Sequence, residues 1–247
     1  MKAAPDDQLR LLDLQALDSS LDRLAHRRKT LPELVQIEEA ENRRARLGDD
    51  IVLVETEDSD LGREQSKLET DIDQVRTRMQ RDQQRLDAGQ VGSPRELENL
   101  QHEIESLKKR QSDLEDDELE IMEKRELVQA RLAELRDERE QLAGTIAEAE
   151  QRRDAAFAEI AAESEKAGAQ RAETVAGLPA ELVALYDKLR ASSAGVGAAA
   201  LHQGRCEGCH LQLNTTDINR IREAPEDEVL RCEECRRILV RTAESGL

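Results

Sequence analysis

The sequence predicts a mainly α protein, a long antiparallel coiled-coil hairpin followed by a small C-terminal α+β domain organised by cysteines. Three observations predict it. Two long stretches repeat apolar residues at alternating spacings of three and four. A glycine- and proline-marked break separates them at residues 87–94, and all four cysteines lie between residues 206 and 235.

The first stretch reads Ile37, Ala40, Arg44, Leu47, Ile51, Val54, Asp58, Leu61, Gln65, Leu68, Ile72, Val75, Met79, Asp82, Leu86, with eleven of fifteen positions apolar. A mean spacing of 3.5 residues keeps one stripe facing a partner along a supercoiled helix pair, which a disordered chain has no reason to do. The second stretch begins at Leu97, Leu100, Ile104 and Leu107 and continues to Ile160, with fourteen of nineteen positions apolar. Polar seam residues (Asp58, Gln65, Glu118, Arg125) fit a role in fixing register at a cost in stability.

Gly89 and Gly92 end the first helix, and Ser93-Pro94-Arg95-Glu96 opens the second. Ser93 suits the cap, Pro94 the first helical position, and Glu96 a capping box. The arms must then fold back antiparallel, placing the N-terminal segment near residue 170. At 1.5 Å per residue the hairpin is expected to be about 110 Å long.

Pro32 cannot sit inside a helix without a kink, so a break is expected at Thr30-Leu31-Pro32-Glu33, with Thr30 and Glu33 offering a fresh cap. Before it, Leu14, Leu17, Leu21 and Leu24 form an amphipathic stretch. After residue 172 the periodicity fades. Gly177-Leu178-Pro179 marks a boundary, Ala180–Arg190 reads as a short helix, and residues 192–197 read as a flexible joint. The expected organisation is therefore 1–172 helical hairpin, 173–197 short helix and linker, and 198–247 cysteine domain.

Composition agrees. The chain of 247 residues has no Trp, one Tyr and one Phe, while 37% of its residues are charged. A globular core of that size would use many aromatics, whereas long helices need few. The net charge of −18 divides into −16 over residues 1–200 (30 basic, 46 acidic) and −2 over 201–247 (seven basic, nine acidic). Such a chain has no general attraction to phosphate backbones, so any nucleic-acid contact must be local. No run of about 18 apolar residues exists, which excludes a helical membrane span. The N-terminus turns acidic at once, unlike a signal peptide, and a cytoplasmic location is expected.

The cysteines form C-x2-C-x22-C-x2-C: Cys206, Cys209, Cys232 and Cys235. Two close thiolate pairs brought together make a tetrahedral sulfur cage, which suits one structural Zn2+ ion. Thr215–Glu223 reads as a helical insertion in the gap. Ala198–Gln203, Leu211–Leu213, Val229–Arg231 and Ile238–Val240 read as strands. Cys206-Glu207-Gly208-Cys209-His210 also matches a c-type haem attachment pattern, but that leaves the second pair unexplained. A redox dithiol is not needed to explain four cysteines in this spacing. Four sulfurs leave no open position for catalytic water, and His202 and His210 read as surface or strand residues.

Cys206-Glu207-Gly208-Cys209-His210-Leu211-Gln212-Leu213, the segment Asp227–Val240 and the tip Ser93-Pro94-Arg95-Glu96-Leu97 resemble a bacterial family, long of unknown function. It joins a coiled-coil hairpin to a C-terminal four-cysteine zinc ribbon. Arg236 departs from the pattern, standing where many such ribbons have Gly in a left-handed turn. The resemblance implies an adaptor or chaperone-like role, with RNA or transcription-factor binding in some members, and does not imply an enzyme.

Seven arginines surround the cysteines: Arg205, Arg220, Arg222, Arg231, Arg236, Arg237 and Arg241. They can form a nucleic-acid patch, or they can offset the net −2 of a zinc with four thiolates. The absence of stacking aromatics favours the second reading. The expectation is a non-enzymatic adaptor that binds a protein partner through coiled coil and ribbon. An RNA- or DNA-binding regulator is the alternative.

Overall fold

The computed structural model describes the whole chain, Met1–Leu247. Its elements are α1 (Pro5–Lys29), α2 (Pro32–Asp87), α3 (Pro94–Ala176), α4 (Ala180–Ser192), β1 (Ala198–His202), β2 (Arg205–Cys206), α5 (Thr215–Glu223), β3 (Leu230–Arg231) and β4 (Ile238–Val240). No helix is long and apolar enough to cross a membrane. The chain divides into two compact units, residues 35–149 and residues 1–34 with 150–247.

Residues 35–149 form an antiparallel hairpin from the facing parts of α2 and α3. Its buried positions belong to the two heptad series: Ile37, Ala40, Leu47, Ile51 and Ile72 on one side, and Leu100, Ile104, Leu107, Leu114, Ile121, Leu132, Leu135, Ile146 and Ala149 on the other. Leu47 and Ile51 cluster with Leu132 and Leu135, which fixes the antiparallel register. Flanking ion pairs repeat it: Arg136 with Glu55 at 2.6 Å, Arg76 with Glu115 at 2.7 Å, Arg85 with Glu96 at 3.6 Å, and Arg43 with Glu138. They are exposed and each adds little to stability, but together they mark one alignment.

The polar seam residues answer one another. Arg125 donates from Nε to Asp58 at 3.0 Å and from Nη1 to Gln65 at 3.1 Å, and Gln129 donates to Asp58 at 3.0 Å. A slipped register would leave these partly buried groups without one another, so the layer favours one alignment.

At the turn, Gly89 takes a positive φ of 61°. Ser93 Oγ accepts from the Glu96 N–H at 3.2 Å, as a capping box requires, but the Glu96 carboxylate accepts from Gly92 rather than from Ser93. At the α1–α2 break the expected roles change. Thr30 terminates α1, donating from Oγ1 to the His26 carbonyl at 3.0 Å, and does not cap α2.

Helix α3 continues to Ala176, where Gly177 and Pro179 stop it, and α1, α4 and the strands share one core. That core holds Leu11, Leu14, Leu178, Leu182, Tyr186, Leu189, Ala198, Ile238 and Val240. The buried face of α1 is accordingly Leu11, Leu14, Gln15 and Asp18, while Leu17 and Leu21 stay half-buried. The N-terminal helix does lie beside the end of α3, with Arg10 donating to the Gly177 carbonyl at 2.7 Å.

The sheet order is β2-β1-β4-β3, with β1 and β4 parallel and the outer pairs antiparallel. Gln203 (φ 45°) and Gly204 (φ 73°) link β1 to β2 in a two-residue turn with both φ positive, the geometry that matches strand twist. The predicted strand at Leu211–Leu213 is reduced to one bridge, Arg205 with Gln212. Helix α5 matches its expected range, capped by Asn214, whose Oδ1 accepts from the Asp217 N–H at 2.8 Å.

Alternation across β1 and β4 makes the sheet two-faced. Ala198, Ile238 and Val240 point to the core shared with α1 and α4, whereas Ala199, Leu201 and Leu239 point to a second core. That second core contains Cys206, Leu213, Ile221, Leu230 and Cys232. A strand of three residues is thereby buried on both sides.

Candidate metal centre and its supporting network

Each cysteine pair sits on a tight turn of the same construction. In the first, the His210 N–H donates to the Cys206 carbonyl at 2.8 Å and the Cys206 N–H to the Leu211 carbonyl at 3.1 Å. In the second, the Arg236 N–H donates to the Cys232 carbonyl at 2.8 Å and the Cys232 N–H to the Arg237 carbonyl at 3.0 Å. These bonds aim backbone N–H groups and both sulfurs of a pair into one space.

His210 and Arg236 close the turns with φ of 60° and 64°. Arg236 therefore keeps the left-handed conformation without the usual glycine, at a steric cost of about 1 kcal/mol. Arg236→Gly should raise the unfolding free energy of the metal-loaded protein by up to about 1 kcal/mol, and Arg236→Val should lower it. Chemical denaturation of the two variants, with zinc held constant, checks the sign.

The four sulfurs lie within 4.8 Å of one another, with Cys206–Cys235 and Cys209–Cys232 each at 3.9 Å. A tetrahedral zinc with bonds of 2.3 Å has sulfur–sulfur edges of about 3.8 Å, which the Cys206–Cys235 and Cys209–Cys232 separations match. Cys206 and Cys232 are buried, and burial pushes both thiols above their ordinary value. At Cys235 burial also pushes upward, but hydrogen bonds from Arg237 and from the Cys232 and Cys209 thiols outweigh it, and the net shift is downward. A divalent cation held there would supply the charge that burial withholds and would keep all four as thiolates.

The arginines separate into two groups. Arg237 is turned inward, donating to the carbonyls of Ser193, Val196 and Gly208 at 2.9–3.0 Å. Arg241 donates to five carbonyls, of Ile221, Ala224, Pro225, Glu226 and Glu228, at 2.6–3.4 Å. Both guanidiniums hold loop carbonyls together. Arg220, Arg222, Arg231 and Arg236 remain exposed around α5 and the second turn, and Arg205 is exposed on β2.

A buried polar network that the sequence reading missed supports the sheet. Gln15 accepts at Oε1 from the Gly197 N–H at 2.7 Å and donates to the Gly195 carbonyl at 2.9 Å. The Tyr186 hydroxyl donates to Asp18 at 2.7 Å and lies 3.2 Å from Gln15 Oε1. Asp18 also takes a bond from Arg171 Nε at 2.6 Å and has Arg190 Nε at 3.4 Å. Burial first, and then the Asp18 contact, push the Tyr186 phenol well above its usual value, so it stays a neutral donor.

The expected flexible joint is thus pinned. Gly197 is required there, because a Cβ would stand 2.7 Å from the Tyr186 carbonyl. The available signal was the only tyrosine in the chain, on the apolar face of the predicted Ala180–Arg190 helix.

The pattern of the CT398-like coiled coil hairpin domain matches residues 14–194. The chain belongs to the CT398-like coiled-coil hairpin family. A C4-type zinc ribbon pattern matches residues 205–239, which contain all four cysteines. An uncharacterised protein of Mycobacterium tuberculosis is 36% identical over 98% of both chains. One of Mycobacterium leprae is 30% identical over 90% of this chain and 94% of its own.

Among solved structures, a protein of Mycobacterium smegmatis has a TM-score of 0.86 at 35% identity, covering 98% of this chain and all of its own. CT398 of Chlamydia trachomatis has a TM-score of 0.69 at 20% identity, covering 96% and 98%, and shares the fold. The CT398-like architecture of helical hairpin and C4 ribbon is therefore that of this chain.

Proposed function

We propose that the chain is a non-enzymatic adaptor of the cytoplasm whose ribbon is held by one structural Zn2+ on Cys206, Cys209, Cys232 and Cys235. Four thiolates close the coordination sphere, which leaves the ion no position for substrate or water. The observation that carries the adaptor reading is the employment of the ribbon arginines. Arg237 and Arg241 bind backbone carbonyls, Arg220 and Arg236 bind Glu233, and Arg231 Nε donates to the Arg236 carbonyl at 2.8 Å. A phosphate backbone needs a row of uncommitted cations, whereas a protein partner can use mixed charges with apolar contacts.

The test is affinity capture on the full-length protein from nuclease-treated lysate, with oligonucleotide binding measured in parallel across a salt series. Discrete proteins should be retained by the intact chain and depleted in Cys232→Ser, with no oligonucleotide binding at low salt. Nuclease-sensitive capture, or binding that falls steeply with salt, would overturn the reading in favour of the RNA or DNA alternative.

A further inference from the structure

Two ladders of facing side chains flank the seam of the hairpin, each stepping seven residues forward on α2 and seven back on α3. One is bounded by the ion pairs Arg43–Glu138 and Arg78–Glu103, and it sets opposite charges against each other at five of its six levels. The other is bounded by Glu55–Arg136 at 2.6 Å and Arg76–Glu115 at 2.7 Å, and it is interrupted. The two levels between those pairs are Gly62 with Gln129 and Glu69 with Met122, neither of which can form an ion pair.

The interruption leaves apolar surface open. Met122 is 39% exposed, and Leu119, one turn before it on the same face of α3, is 56% exposed. On α2 this flank carries Gly62 and Ser66, which have little side chain to cover them. Arg125 lies across Gly62, where a Cβ would come 3.3 Å from its guanidinium, and it is engaged by Asp58 and Gln65. Asp116 and Glu123 stand three and four residues from Leu119, and Glu126 four from Met122. All three are exposed and meet no cation of the chain.

The charge around this patch is the most one-sided in the protein. Residues 54–73 and 113–130 together hold 16 acidic and four basic residues, a net of −12, whereas residues 74–112 at the tip hold six acidic and eight basic, a net of +2. We infer that this flank of the hairpin receives a basic, amphipathic helix of a partner protein, laid along the seam. Its apolar side chains would rest on Leu119 and Met122, and its lysines or arginines would meet Asp116, Glu123 and Glu126. This rests on the adaptor reading and names the chemistry of its partner.

The pair at a spacing of three supplies anchors of the kind that helix-on-helix recognition uses. A second copy of the chain would set −12 against −12, and a nucleic-acid strand would set phosphates against the same carboxylates. Only a cationic partner gains from both the apolar pair and its rim.

The experiment uses full-length, zinc-loaded protein and fluorescence anisotropy across a salt series. The probes are a labelled helical peptide with leucines on one face and lysines on the other, the same composition with leucines spread around the helix, a glutamate counterpart, and oligouridine. The segregated basic peptide should bind in preference to the other three. Leu119→Gln with Met122→Gln should weaken it by about tenfold, and Glu123→Gln with Glu126→Gln by about threefold. Leu53→Gln with Leu127→Gln should leave it unchanged, although those leucines are 68% and 73% exposed, because they lie beside the uninterrupted ladder.

Helical signal establishes that each variant is folded. If one is not, a photo-crosslinker on the apolar face of the peptide decides with the wild-type protein, and it should label residues 59–69 and 115–129. Equal binding of the segregated and spread peptides, equal effects of the two leucine-containing double variants, preferred binding of oligouridine, or labelling elsewhere would overturn the inference. If Leu119→Gln with Met122→Gln still captures the proteins retained by the wild type from nuclease-treated lysate, the flank is excluded and the adaptor reading stands. If the peptide behaves as expected but capture returns only nucleic acid, the adaptor reading falls and the flank remains a site for basic helices.

Discussion

Replacing Cys232 with Ser, or stripping the metal with a strong chelator, is expected to unfold the ribbon and to loosen α1 and α4 with it. Structural zinc sites contribute apparent binding free energies of about 10–16 kcal/mol, which act as folding energy when the metal-free site is unformed. Nothing else in the ribbon can replace that contribution. Its inner core is a handful of aliphatic residues around Cys206 and Cys232, with no aromatic among them.

The loss does not stop at the ribbon, because Ala198, Ile238 and Val240 cover Leu11, Leu14, Leu182 and Tyr186. Once β1 and β4 are released, those side chains meet water. The helices of residues 35–149 have their own seam and should be unaffected. Hydrogen exchange should show lost protection in α1, α4 and the strands, with protection kept along the heptad seam. Metal analysis should show one zinc per wild-type chain and little in the variant. Retention of stoichiometric zinc by Cys232→Ser, or unchanged protection in α1, would contradict the shared core.

The second large effect is expected at Asp18. Its carboxylate is 2% exposed and is the common acceptor for Tyr186 and Arg171, with Arg190 beside it. Removing one partner from a buried ionic group leaves the others uncompensated, at a cost of 3–5 kcal/mol for a fully buried pair. Both arginines are partly exposed, which lets water reclaim some of that loss. We therefore expect Asp18→Ala to cost about 3 kcal/mol in the unfolding free energy of the unit that carries the ribbon.

Asp22→Ala makes a discriminating control. It removes a 2.6 Å ion pair with Arg190, but the carboxylate is 55% exposed, and the expected change is under about 0.5 kcal/mol. Urea denaturation of the two variants, followed by circular dichroism, separates them. Equal effects would show that burial of Asp18 contributes nothing.

The hairpin, its register and the pairing of the four cysteines were legible in the order of residues alone. Heptad spacing is a local and repetitive signal, so every buried seam position repeats the same statement, and the Ser93-Pro94 start with Gly89 at the turn leaves one way to fold back. The cysteine pairs are as legible, since thiolate spacing within a turn is a short-range property. Helix α5 was visible too, as the insertion Thr215–Glu223 in the gap between the cysteine pairs.

The assembly of the second unit was not legible, because its contacts join segments far apart in the chain. Leu17 and Leu21 fit an amphipathic stripe, yet α1 buries Leu11, Gln15 and Asp18 instead, because its contacts come from β1, β4 and α4, far away in the chain. No periodicity encodes a buried carboxylate whose compensation lies at Arg171 and Tyr186, over 150 residues away. The arginines divide for the same reason. Arg236 and Arg237 are neighbours in the sequence, but Arg236 meets only Glu233 within its own turn, while the fold brings three distant backbone carbonyls around Arg237.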